Sequence, residues 1–171
     1  KKKIILINIK DQLNSSDVEK LGAELYDFIK ANKIKNLIIN AKSLNAKPGK
    51  DFIGRFLHGL KLKSYEFNKY KSKKENKIFE IDVINKGKSF NFNKNKRFKS
   101  LIEGTNFTKD LVSEPGNILH PDEYAKRLLK LKKFGLKVNV YNEVKLKKLG
   151  MNALLGVGQG SIRGSYLVTL E

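Results

Sequence analysis

The chain has 171 residues, with 36 Lys and Arg against 17 Asp and Glu, for a net charge of +19. That length allows one medium domain or two small ones with a genuine core, while the absence of cysteine excludes disulfide staples, thiolate metal sites and a thiol nucleophile within these residues. The first apolar run, Ile4 to Ile7, is interrupted by Asn8 and Lys10; it is too short for a signal-peptide core or a membrane span, so a cytoplasmic protein with no membrane partner is expected.

In chain order, Ile4 to Ile9 reads as a strand buried on both faces, and Leu37 to Ile39 as another. Between them a helix is expected to open on Ser16 and Glu19 in capping-box spacing, with Val18, Leu21, Leu25, Phe28 and Ile29 as its apolar stripe. A second helix is expected from about Asp51 toward Lys63, where Phe52, Ile53, Phe56, Leu57 and Leu60 share a face, followed by a strand at Ile78 to Ile84. Lys86 to Lys96 has turn-forming Gly and Asn without sustained period and reads as a loop. Arg97 to Ser113 is helical in pattern through Phe98, Leu101, Ile102, Phe107, Leu111 and Val112, and Gly104 weakens it.

The sharpest punctuation lies in "FTKDLVSEPGNILHPDEYAKRL", Phe107 to Leu128. Pro115 stops the helix, because it has no N–H and pushes Glu114 out of helical angles. Gly116 and Asn117 are suited to left-handed angles, His120 to an N-cap and Pro121 to a first helical position, with Asp122 and Glu123 near the positive end of the helix dipole. A helix through about Lys133, a strand at Leu136 to Tyr141, a short helix from Asn142 to Leu149 and a strand at Tyr166 to Leu170 complete the pattern. Strands and helices alternate on both sides of the joint, which predicts an α/β fold.

Chemistry is sparse. His58 and His120 are far apart in sequence, one beside the apolar positions of a helix and one at a cap, and structural roles are expected for both. Neither a metalloprotease His-Glu-x-x-His nor a Gly-x-Ser-x-Gly elbow occurs. The glycine-rich "GVGQGS", Gly156 to Ser161, leads into a strand and not a helix, which excludes a dinucleotide fingerprint. Its first glycines are expected to allow close packing beside a sheet, and Gln159 and Arg163 to line an interface or site. No catalytic, cofactor-binding or metal residue is assigned. The positive charge is nearly all lysine, as in Lys69 to Lys77, "KYKSKKENK". Tyr65, Phe67 and Tyr70 beside those lysines suit base stacking, but the favoured reading makes them the apolar end of the preceding helix, with the lysines a solvated surface.

"EGTNFTKDLVSEPGNILHPDEYAKRL", followed by "LKVNVYNEVKLKKLGMNALLGVGQGS" and "SYLVTLE", closely resembles the junction and early catalytic domain of the leucine (cytosol) aminopeptidase family. "FIGRFLHGLKLKSYEFNKYKSKK" resembles its N-terminal domain. The resemblance implies three-layer-type alternating strands and helices in two units joined by a long connecting helix. Residues 1–96 would be part of the N-terminal domain, 97–114 the connecting helix and 115–171 the beginning of the catalytic domain. It also implies removal of N-terminal residues from peptides, two divalent metal ions, zinc or manganese, in the full-length enzyme, and a homo-hexamer. The family's Gly-Lys-Gly, Asp-Ser-Gly-Gly and Asn-Thr-Asp-Ala-Glu-Gly-Arg motifs do not occur here, so the catalytic and metal residues are expected beyond Glu171, with this portion inactive and metal-free. The chain is also expected to start inside the N-terminal domain, at an internal strand. A non-catalytic basic module binding nucleic acid nonspecifically, or a decayed gene product, are the alternatives.

Overall fold

The computed structural model describes residues 4–7, 9, 13–41, 51–73, 80–85, 88–89 and 91–171. The chain divides into two compact units, Lys1–Thr108 and Lys109–Glu171.

In the first unit, helix α1 (Ser15–Ala31) packs on α2 (Phe52–Lys63), beside a sheet of β1 (Asn36–Asn40), β2 (Glu80–Asn85) and β3 (Lys88–Ser89) in that order. β1 and β2 run parallel, with Leu37 beside Ile81 and Ile39 beside Val83, and β3 is antiparallel to β2. The core joins Val18, Leu25 and Ile29 of α1, Phe52, Phe56 and Leu60 of α2, and Val83 of β2, with Leu37 and Ile39 packed against it.

The crossing of α1 and α2 is set by two glycines. A Cβ on Gly22 would collide with the Phe56 carbonyl oxygen, and one on Gly59 with the Glu19 carbonyl oxygen, so the two backbones touch where any side chain would hold them apart. This contact turns α1 slightly from the face predicted by its periodicity. Gly22 and Tyr26 are buried with Val18, Leu25 and Ile29, whereas Phe28, placed in the predicted stripe, is 44% exposed.

The start of α1 also differs from expectation. Asn14 is the N-cap: its Oδ1 accepts from Asp17 N at 2.9 Å, and Asp17 Oδ2 accepts from Asn14 N at 3.2 Å. Asn caps as well as Ser does, so the capping box sits two residues earlier than Ser16 and Glu19. Residues 4–7 and 9 belong to no strand, and Ile4 and Leu6 are 88% and 91% exposed. An apolar run becomes a strand through a paired neighbour, and none of the described ladders includes these residues. β1 is not buried on both faces either, since Ile38 is 65% exposed. The stretch predicted as a loop at 86–96 contains β3 and a single 3₁₀ turn, Phe92–Lys94. Ile78 and Phe79, in the predicted strand, lie outside the described residues.

Helix α3 (Lys96–Ser113) runs through Gly104 unbroken. Phe98 near its start is 1% exposed and its ring lies 5.3 Å from that of His58, while Leu101 and Val112 are 47% and 81% exposed, leaving a narrower buried stripe than predicted.

In the second unit, α4 (Pro121–Leu129) tightens into a 3₁₀ segment, Lys130–Phe134, and leads to β4 (Val138–Tyr141), α5 (Glu143–Lys148), α6 (Asn152–Gly158) and β5 (Leu167–Leu170). β4 and β5 are antiparallel, with Val138 opposite Leu170, and Asn139 Nδ2 donates to Thr169 Oγ1 at 3.3 Å. Ala125, Val138 and Leu146 are its most buried apolar side chains. α6 was not anticipated: Ala153, Leu154 and Leu155 favour helix strongly enough to carry it into Gly156 and Gly158. Those glycines do not pack against a sheet. Gly156 has open space where a Cβ would lie, and a Cβ on Gly158 would meet Ser165 Oγ.

Candidate functional site

Among the described residues, a buried polar cluster sits at the joint between α3 and α4. Glu114 N still donates to Asp110 O at 3.1 Å, one step past the last helical residue. Pro115 then ends the ladder, and its own carbonyl accepts from Ile118 N at 2.9 Å and Leu119 N at 3.0 Å. This corner needs no left-handed residue: the positive φ values among the described residues belong to Lys33, Gly135 and Gly150, not to Gly116 or Asn117. His120 is the N-cap of α4, with Pro121 in its first turn, but the imidazole does not cap the helix. Its Nδ1 instead donates to the Ile118 carbonyl at 3.2 Å.

Glu114 turns inward from this corner, with its side chain only 1% exposed. Arg127 on α4 meets it, Nη1 to Oε1 at 2.8 Å, while Arg127 Nε donates to Glu123 Oε1 at 3.1 Å. The hydrogen bond to Glu114, followed by that to Glu123, holds the guanidinium above its ordinary value against the opposing effect of burial. A buried carboxylate and its arginine therefore tie the end of α3 to the second turn of α4. The Glu123 and Arg127 spacing of four residues was legible as a helical pair; the pairing of Glu114 across the proline corner was not.

The loop after α6 is pinned at its base. Glu143 Oε1 accepts from Ser165 N at 3.0 Å, Ser161 Oγ accepts from Arg163 N at 3.0 Å, and Arg163 Nη1 stands 4.0 Å from Asp122 Oδ1 at the start of α4. Gln159 caps the end of α6 and is exposed. His58 is buried in α2, with Nδ1 3.0 Å from Glu19 Oε1 and Nε2 unpartnered.

Of the basic run, Lys69, Lys71 and Lys73 are described and Lys74 and Lys77 are not. The neighbouring aromatics are not the end of α2, which stops at Lys63. Phe67 and Tyr70 meet edge to face at 5.8 Å beyond it, and Lys69 Nζ lies 5.3 Å from the Tyr70 ring. Among the described residues no group of three or more His, Cys, Asp or Glu side chains could hold a metal ion, so these residues do not supply the donor set of a two-metal centre. No described helix is long and apolar enough to cross a membrane.

Comparison with known proteins identifies the lineage of this arrangement. The catalytic-domain model of the cytosol aminopeptidase family matches residues 106–171, and that family's N-terminal-domain model matches residues 3–74. A probable cytosol aminopeptidase of Phytoplasma mali is 37% identical, the match covering 99% of this chain and 35% of that protein. One from Phytoplasma australiense is 38% identical over 84% of this chain and 30% of its own length. The chain thus spans 30–35% of the length of these curated relatives. Among solved structures, a tomato leucine aminopeptidase mutant has a TM-score of 0.74 at 21% identity, over 91% of this chain and 32% of that one. The bottromycin maturation enzyme BotP in complex with Mn has a TM-score of 0.71 at 22% identity, over 90% and 33%. These two show the α/β fold. With both domain models matched in chain order, before and across the joint at Glu114, the chain belongs to the cytosol aminopeptidase family.

Proposed function

We propose that this chain is a portion of a metal-dependent, leucyl-type aminopeptidase that removes N-terminal residues from peptides. Residues 1–96 are read as part of its N-terminal α/β domain, 97–114 as its connecting helix and 115–171 as the beginning of its catalytic domain. The observation that carries the proposal is the ordered match of the two family domains over nearly the whole chain.

Two divalent ions, zinc or manganese, would polarise the scissile carbonyl and supply a hydroxide near neutral pH when bound. The described residues offer no cluster to hold them, and the family's metal motifs do not occur in the sequence. The centre is therefore assigned to sequence outside these 171 residues, and no step of the reaction runs through their side chains. What this chain contributes is scaffold, above all the Glu114 and Arg127 lock where α3 gives way to α4. By the same family resemblance the whole protein is read as a cytoplasmic homo-hexamer.

The test is hydrolysis of a leucyl chromogenic substrate by the whole protein that contains this chain, loaded with zinc or manganese and then treated with a chelator. Turnover that the chelator abolishes is expected, and a folded whole protein inactive with both metals would refute the proposal. The 171-residue chain alone should show none; metal-dependent turnover by it, well above a blank, overturns the placement of the centre outside these residues.

A further inference from the structure

We draw no further inference here: the strongest candidate, the surface patch of Val157 on α6 and Ile162 just after it, which are 88% and 100% exposed, is an unpartnered apolar face and nothing in the structure shows what covers it.

Discussion

Arg127 Nη1 lies 2.8 Å from Glu114 Oε1, and that carboxylate is 1% exposed while the guanidinium is 15% exposed. Replacing Arg127 with Met removes its charged hydrogen bond to the buried Glu114 carboxylate and should destabilise the chain by about 1.5–3 kcal/mol. The double replacement Glu114→Leu with Arg127→Met should recover much of that loss, because it also takes the buried carboxylate away. Urea denaturation of the two variants beside wild type measures both effects. A double variant as unstable as the single one would show that the pair itself, and not the burial of the remaining carboxylate, carries the stability.

The same contact sets a pH dependence. Arg127 is raised above its ordinary value by Glu114 and then Glu123, and a cation whose folded value is raised contributes stability that is present below the unfolded value and lost as pH rises through the folded one. Its contribution should therefore stay constant across the neutral and mildly alkaline range and disappear only in strong alkali. The stability difference between wild type and Arg127→Met, followed across that range, checks this. A steady shrinkage of the difference just above neutral pH would contradict it.

Two glycines should tolerate no side chain. At Gly22 and Gly59 a Cβ meets a backbone carbonyl of the opposite helix, which cannot swing aside as a flexible side chain would. Gly22→Ala and Gly59→Ala should each destabilise the first unit by about 1–3 kcal/mol. Gly104→Ala is the control, because nothing lies within 4 Å of its Cβ and alanine is the better helix former by about 1 kcal/mol. Thermal melts of the three variants should move in opposite directions, down for the first two and up for the third.

Lys33 is the one non-glycine residue with positive φ among those described, at 51°. It follows the end of α1, where Lys33 N donates to Lys30 O at 3.2 Å and Ile34 N to Ile29 O at 3.0 Å, a closing turn that favours glycine. Lys33→Gly should stabilise the chain by up to about 1 kcal/mol, read as a higher urea midpoint. A lower midpoint would mean that the lysine side chain contributes more than its backbone strain costs.

The basic surface should bind duplex DNA weakly and without sequence preference, with affinity falling steeply as salt rises, because phosphate neutralisation alone drives it. Changing Lys71, Lys73 and Lys74 to Glu should reduce binding about as much as changing Lys145, Lys147 and Lys148. Fluorescence anisotropy across a salt series compares the two triple variants. Loss confined to the first set would localise a nucleic-acid surface on the run that begins at Lys69.

Local signals settled much of the architecture. The stripe of Phe52, Phe56 and Leu60 determined α2 and its buried face, and Pro115 and Pro121 marked the end of α3 and the start of α4 within a residue. These are properties of proline geometry and of the 3.6-residue period, which need no distant partner. The family, too, was legible, through motifs that lie in order along the chain. What required tertiary structure were choices between near-equal local options. Asn14 and Ser16 are both good caps, and α1 begins at Ser15. Tyr26 and Phe28 flank opposite edges of the buried face of α1, and Tyr26 lies on the Gly22 side, where the two helix backbones touch, and is the one buried. Ile4 to Ile9 is as apolar as a strand should be, but a ladder needs a neighbour and the described residues provide none for it. Glu114 and Arg127 stand thirteen residues apart, beyond any helical spacing, so only the fold of the corner between them could bring a buried carboxylate to its cation.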